Sequence, residues 1–388
     1  MTTERPPTES DKIRVAYDSW MESEGIPVHS AKAAVADVAE LPREPWPRMG
    51  GKGTFVQLNG IRQADRGCYL VEIPGAGALN PEKHLYDEVI YVMEGRGLTE
   101  IWQEGGPRSI FEWGPGSIFP IPVNVWHRLV NGAQEPVLIL AFTRAPRLFK
   151  LFNNADFIFN CDYRFLERYG GESDYFNASE TRTPGSRNQS VTWFTNFIPD
   201  VSSAAIDPME MKVAGGDLTS FSMGYGFPHG HISGWPVGRY HKAHYHGPGA
   251  IIVGLSGKGF VVLWPKELGI HPFQDGYQDE VVMVDWGPRS IYAPPDAWFH
   301  QHMSTGRVPA RHWAIHGDPL SFSSVSEARQ EEGRSGVMTS LREGGQLIDY
   351  EDEDPEIRRQ WEMRCRAEGV EPAMPPVEYR TDPLLTRI

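Results

Sequence analysis

Cysteine is scarce in this chain: three residues in 388, Cys68, Cys161 and Cys365, far apart and without a CxxC pair. That excludes a disulfide framework and a structural zinc knuckle, and it fits a reduced, cytoplasmic setting. Positive charge is also in deficit, with 37 Lys+Arg against 51 Asp+Glu and a net charge of -14. A chain this acidic is repelled by phosphate backbones and anionic lipid, so neither nucleic acid nor a membrane surface is expected as a partner. No run approaches the ~18 apolar residues of a membrane-spanning helix, and the opening residues lack the apolar stretch of a secretory leader. There is no Gly-x-Ser-x-Gly nucleophile elbow. The Gly95-Arg96-Gly97 and Gly257-Lys258-Gly259 turns lack the length and the following Lys-Ser/Thr of a phosphate loop.

Glycine and proline are abundant, 40 and 32 residues, and hydrophobic residues make up 40% of the chain. This composition favours a turn-rich all-β protein over a helical bundle. The chain also repeats itself. Glu94-Gly95-Arg96-Gly97 followed by Trp102 returns as Ser256-Gly257-Lys258-Gly259 followed by Trp264, an offset of 162. Trp113-Gly114-Pro115 through Pro122 and His127 returns as Trp286-Gly287-Pro288 through Pro295 and His300, an offset of 173. The difference, 173 − 162 = 11, places an insertion between Pro265 and Glu280 of the second copy. Two echoes in the same order mean a duplicated domain. In each copy a short β-branched run, Val89 to Met93 and Ile251 to Leu255, ends in a glycine turn before a second run, Leu98 to Trp102 and Phe260 to Trp264. These are hairpin signals. Helices are expected at Asp11 to Ser23, Tyr163 to Tyr169, Ser324 to Glu332 and Pro355 to Glu368, the last behind an acidic run, Asp349 to Asp354, that reads as a solvated cap.

The repeat carries a motif. The first copy has Glu82-x-His84-x3-Glu88-x6-Gly95, then Gly116-x5-Pro122-x-Asn124-x2-His127-x3-Asn131. The second has His244-x-His246-x3-Ala250-x6-Gly257, then Pro295-x-Ala297-x2-His300-x3-Ser304. This resembles the cupin superfamily, whose two motifs run G-x5-H-x-H-x3/4-E-x6-G and G-x5-P-x-G-x2-H-x3-N. The resemblance implies a bicupin: two jelly-roll β-barrels with helical N- and C-terminal extensions. The divisions expected are an arm at 1–50, a barrel at 51–145, connecting structure at 146–211, a second barrel at 212–318 and an extension at 319–388. A bicupin resembles an internal dimer of barrels, and a homo-oligomer is expected.

On a strand, side chains at i and i+2 share a face, so His244 and His246 point together and His300 joins them from a distant strand. Three neutral imidazoles suit a divalent transition metal better than Mg²⁺ or Ca²⁺. Ala250 stands where the family has glutamate. A similar three-histidine set occurs in non-haem iron dioxygenases of the family, which implies Fe(II), O₂ and a small anionic, possibly aromatic, substrate. The alternatives are a redox-neutral Mn or Zn enzyme (decarboxylase, hydrolase or isomerase) or a non-catalytic small-molecule binder. His302 shares the face of His300, and His241 is expected at the rim; either can handle protons. Tyr245, Tyr292, Trp298 and Arg239 are candidate substrate contacts. His229, His231 and His271 have little spacing support, and His312 and His316 read as structural. In the first copy Glu82, His84, Glu88 and His127 form a possible second metal site or a retired one.

Overall fold

The structure, a computed structural model, describes residues 9–58, 66–184, 190–224, 228–246, 250–316 and 336–382. Two β-barrels stand back to back, each closed by a large and a small sheet. In the first, a seven-stranded sheet faces a three-stranded one made of Trp126–Val130, Gly97–Trp102 and Arg108–Trp113. In the second, an eight-stranded sheet faces the trio Val282–Trp286, Gly259–Pro265 and Trp298–Ser304. The N-terminal arm serves both: Val28–Ala31 pairs with Gly51–Leu58 of the first barrel, and Ala34–Val35 with Ile291–Tyr292 of the second.

The repeat holds residue by residue. His127 pairs with Ile101, and His300 with Leu263, the same register at offsets 173 and 162. Glu82 bridges His127 as His244 bridges His300. The loop that carries the eleven-residue insertion contains two short 3₁₀ turns, Lys266–Leu268 and Gln278–Glu280.

Strands buried on both faces read as unbroken apolar runs. Val137–Thr143 is one. Its Val137, Ile139 and Ala141 fill the first barrel, while Leu138, Leu140 and Phe142 join the core between the barrels. The second barrel answers with Val253, Trp313 and Ile315; the rings of Phe142 and Trp313 meet edge to face at 5.7 Å.

The helix Glu9–Ser23 stands where expected and packs Trp20 against Phe149. Tyr163 to Tyr169 is not helical; the helices of this region are Ala145–Phe152 and Ala155–Asn160, and turns follow. Asn153 takes a left-handed conformation after the first of them and Asn154 caps the second, which fixes the break between the two. Ser324 to Glu332 lies outside the described residues. Pro355–Ala367 is helical and packs Ile357, Trp361 and Cys365 on the back of the second small sheet. The acidic run before it is not solvated: Asp352, Glu353 and Asp354 are buried. Each has a partner that sequence spacing does not reveal. Arg342 and Arg380 hold Asp352. Tyr240 and Gln301 donate to Glu353, whose pKa burial raises to about 7. Asp354 accepts from the amides of Phe273, Gln274 and Glu356. No helix among the described residues is long and apolar enough to cross a membrane.

Candidate metal centres

In the second barrel, alternation along each strand decides what faces the interior. On Trp298–Ser304, His300 and His302 point inward, while Phe299 and Met303 pack outward against the C-terminal helix. His244, His246 and His300 bring one ring nitrogen each to within 4.8 Å of the others, and all three side chains are buried. His244 Nδ1 lies 3.2 Å from the Lys242 carbonyl, and His300 Nδ1 lies 3.2 Å from that of Trp298. A carbonyl only accepts, so these rings carry the proton on Nδ1 and present the Nε2 lone pair, the tautomer a metal needs. Neutral, converging, buried and without a carboxylate, the three nitrogens fit a divalent transition ion.

A turn locks this geometry. Ala297 N donates to the His246 carbonyl at 3.0 Å, as Asn124 N donates to that of His84 at 2.7 Å. Both residues stand at the glycine of the family motif, and both are left-handed, with φ of 62° and 56°. An alanine tolerates this backbone poorly.

The cavity around the triad spans about 410 Å³, mouth included, and carries seven histidines. Its described lining residues include no aspartate or glutamate. Burial holds the imidazoles neutral: His244, His241 and His302 lie well below the usual histidine range, and His300 and His312 fall to about 3. The cation in the cavity is Lys212, buried, with its Nζ 3.2 Å from His244 Nε2. Burial lowers its pKa to about 8. No carboxylate among the described residues pairs with it. Tyr292 Oη stands 2.9 Å from His302 Nδ1 and 3.0 Å from His312 Nδ1, linking the two rings.

Several expectations change here. His241 is inside the cavity rather than at its rim, because Tyr240 before it points outward into the cluster around Trp361. His312 and His231 line the cavity rather than only filling structure. Tyr292 faces inward, but Tyr245, lying between two ligands on an extended segment, must point outward; it packs on Phe299 and under Lys266. Trp298 is half-buried beside the interior cluster, two residues before His300. Arg239 is not among the cavity lining, and Lys212 supplies the cation instead. His229 and His316 stack on each other, and His316 Nε2 meets His231 Nδ1 at 2.8 Å. His271 is elsewhere, bonded to the Asp352 carbonyl. Lys212 belongs to neither motif and gave no sequence signal.

The first barrel has the same frame and a different charge. Nε2 of His84 lies 3.5 Å from Glu88 Oε2; Nε2 of His127 lies 4.0 Å from the same oxygen and 3.9 Å from Glu82 Oε1. Both Nδ1 atoms face backbone carbonyls, Tyr86 at 2.8 Å and Val125 at 3.1 Å. Tyr69 donates to Glu88 Oε1 at 2.6 Å. Arg48 is bound to Glu82 and to Glu24. Burial opposes the charged forms, yet mutual attraction raises the pKa of His84 and lowers that of Glu88. Glu24, Glu82 and Glu88 against Arg48 leave −2, the charge a divalent ion cancels. These donors also fit a metal.

No curated protein matches the chain at a significant level. The cupin-domain family matches residues 69–143. Among solved structures, a deletion mutant of Bacillus subtilis oxalate decarboxylase is similar at 14% identity, covering 74% of this chain and 77% of that one with a TM-score of 0.48. The formate complex of Lactobacillus farciminis oxalate decarboxylase is similar at 11% identity, covering 75% and 88%, also at 0.48. The second barrel repeats the strand pairing, the left-handed turn and the ligand positions of the first, which the cupin-domain family matches, so the chain carries two cupin-like barrels.

Proposed function

We propose that this bicupin is an enzyme whose second barrel holds one divalent transition ion, Mn or Zn, on His244, His246 and His300, and that it converts a small organic anion by redox-neutral chemistry: decarboxylation, hydrolysis or isomerisation. The observation that carries this reading is a buried cavity built of neutral imidazoles and one ammonium, with no carboxylate among its described lining residues. Such a cavity is positive overall and calls for an anion. The bound ion supplies Lewis acidity and open coordination positions.

The chain's own residues do the rest. Lys212 adds positive charge beside the ligand set and draws the anionic end of the substrate. His241 has no hydrogen-bond partner on either ring nitrogen among the described residues, and it is buried, so it is free to bond a substrate oxygen. Tyr292, its pKa raised well above the usual tyrosine range by burial, keeps its proton. One hydroxyl proton cannot serve two acceptors, so Tyr292 donates to one Nδ1 and accepts from the other. Loss or gain of a proton at His302 is therefore relayed to His312, which makes His302 the proton-handling group.

A second reading is supported by the all-neutral ligand set: an Fe(II) dioxygenase consuming O₂. Anaerobic purification with elemental analysis, then turnover of a panel of small mono- and dicarboxylates at an oxygen electrode, separates the two. The redox-neutral reading expects product without O₂ uptake. Stoichiometric O₂ uptake with Fe(II) moves the assignment to the dioxygenase, and a second barrel without metal leaves a small-molecule binder.

A further inference from the structure

We infer that Lys212 and the metal ion exclude each other at His244, and that metal loading turns the Lys212 ammonium into the cavity as the anchor for the substrate's anionic group. This rests on the proposed metal site in the second barrel. Its first support is the tautomer. With Nδ1 of His244 directed at the Lys242 carbonyl, the single Nε2 lone pair accepts from Lys212 Nζ at 3.2 Å. A metal bond needs that same lone pair. One lone pair serves one partner, so the lysine must leave when an ion arrives.

The second support is the missing counter-charge. Lys212 is buried, forms no salt bridge among the described residues, and faces a cavity whose described lining has no acid. An isolated buried ammonium is costly. Once displaced from His244 it has only neutral side-chain acceptors in that described lining, the other imidazoles and the Ser233 hydroxyl, and an incoming carboxylate is the partner that offsets its charge. Its backbone does not move with it: the Lys212 carbonyl is held by the Lys242 amide at 2.6 Å.

The third support is the other barrel. Arg48 stands eight residues before Val56, and Lys212 nine before Phe221; Val56 and Phe221 pair with Cys68 and Gly230, which correspond at the repeat offset of 162. Each cation reaches the first motif position of its own barrel, Arg48 to Glu82 and Lys212 to His244. In the first barrel that position is a carboxylate and satisfies the cation. In the second it is a neutral ring with one lone pair, so the same arrangement becomes a competition.

The test uses the full chain stripped by chelator, in a His84→Ala/His127→Ala background that removes both first-barrel imidazoles and so reads the second barrel. Co²⁺ is titrated calorimetrically and by its visible absorption, with and without Lys212→Met. Loss of the competing ammonium should tighten Co²⁺ binding about tenfold or more. Acetate, used as the anion probe on the Co²⁺-loaded proteins, should bind about tenfold more weakly to Lys212→Met. Lys212→Gln, which retains polarity, should move both constants in the same directions. Unchanged Co²⁺ affinity with Lys212 replaced overturns the exclusion, and unchanged acetate affinity overturns the anchor. If Co²⁺ binds to neither protein, the metal site of the second barrel is itself wrong and this inference falls with it.

Discussion

The two barrels share a frame and differ in charge. Both place a late histidine opposite the first motif residue, both hold the ligand strand by an amide from a left-handed turn, and both bring a cation from the segment ahead of the first strand. The first barrel opposes its cation with carboxylates, reaching a charge that one divalent ion cancels. The second has shed them, with Ala250 where the first has Glu88, and stays positive with or without a metal. A neutralised centre has little use for an anionic substrate, whereas a positive one requires it. The duplication has thus separated a self-sufficient site from an unsatisfied one, and the function proposed above puts the substrate at the unsatisfied one.

The largest effect that tests this division is loss of a ligand. His246→Ala deletes one of three metal donors in the second barrel, while His84→Ala leaves that barrel whole. Activity should fall at least about 100-fold in His246→Ala, more than the usual cost of losing a group that merely supports a ligand. In His84→Ala it should fall by much less. Metal content per chain, measured alongside, should drop at the second barrel only in the first variant. The reverse pattern would make Glu82, His84, Glu88 and His127 the working site.

Arg48 and Lys212 separate the barrels by stability. Arg48→Met leaves Glu82 and Glu24 without their shared partner, and breaking a largely buried pair this way costs about 3 kcal/mol. Lys212→Met removes a buried ammonium that has no carboxylate, so metal-free stability should be unchanged or rise by about 1 kcal/mol. Denaturant titration of the chelator-treated protein measures both. Equal losses would mean that Lys212 has a counter-ion the comparison denies.

How much of this was legible in the sequence follows from where the information sits. The fold was legible because the chain states it twice, and a repeat with a fixed offset and one localised insertion leaves little freedom in strand pairing. His244 and His246 followed from spacing on an extended chain, and His300 from the resemblance to the family's second motif. The same rule also contained what was missed: His229-x-His231 and His312-x3-His316 share the period of two that places side chains on one face, and Tyr245, between His244 and His246, had to face away. Lys212 and Arg48 were out of reach, since a lone cation ahead of a strand has no periodic signature. Only the folded chain shows what each touches. The buried state of Asp352 to Glu353 was hidden for the same reason, since their partners are distant in sequence.

Acid should weaken the barrels unequally. His231, His241, His244, His302 and His316 of the second barrel have folded pKa values well below their unfolded value, and His300 and His312 fall to about 3. Between about 6.5 and those values the unfolded chain binds more protons than the folded one, so stability is lost as pH falls. Each such histidine removes up to about 1.4 kcal/mol per pH unit. In the first barrel burial lowers the pKa of His127 as well, but that of His84 is raised and that of Glu88 lowered, so their mutual stabilisation survives mild acid and fewer histidines there resist protonation than in the second barrel. That contribution is lost as pH rises through the raised value of His84, or falls through the lowered value of Glu88. Hydrogen exchange on metal-free protein, corrected for the intrinsic rate and followed from pH 7 to 5, should show the strand of His300 losing protection before that of His127. Simultaneous loss would show that the core around Phe142 and Trp313 makes the barrels one unit.

The smallest effect concerns the shared turn. Ala297 and Asn124 both sit at a positive φ where the family motif has glycine. Ala297→Gly removes a left-handed alanine and should stabilise the protein by about 1 kcal/mol. Asn124→Gly relieves less, because asparagine tolerates this conformation, and it deletes two hydrogen bonds, from Nδ2 to the carbonyls of Cys161 and Tyr163 at 2.9 and 2.7 Å. The net change should therefore be destabilising by about 1 kcal/mol, opposite in sign at the equivalent position. Thermal melts of the two single variants decide it. Shifts of the same sign would mean that the side chain of Asn124 contributes nothing to the first barrel, and that backbone strain alone governs the turn that holds His84 and His246.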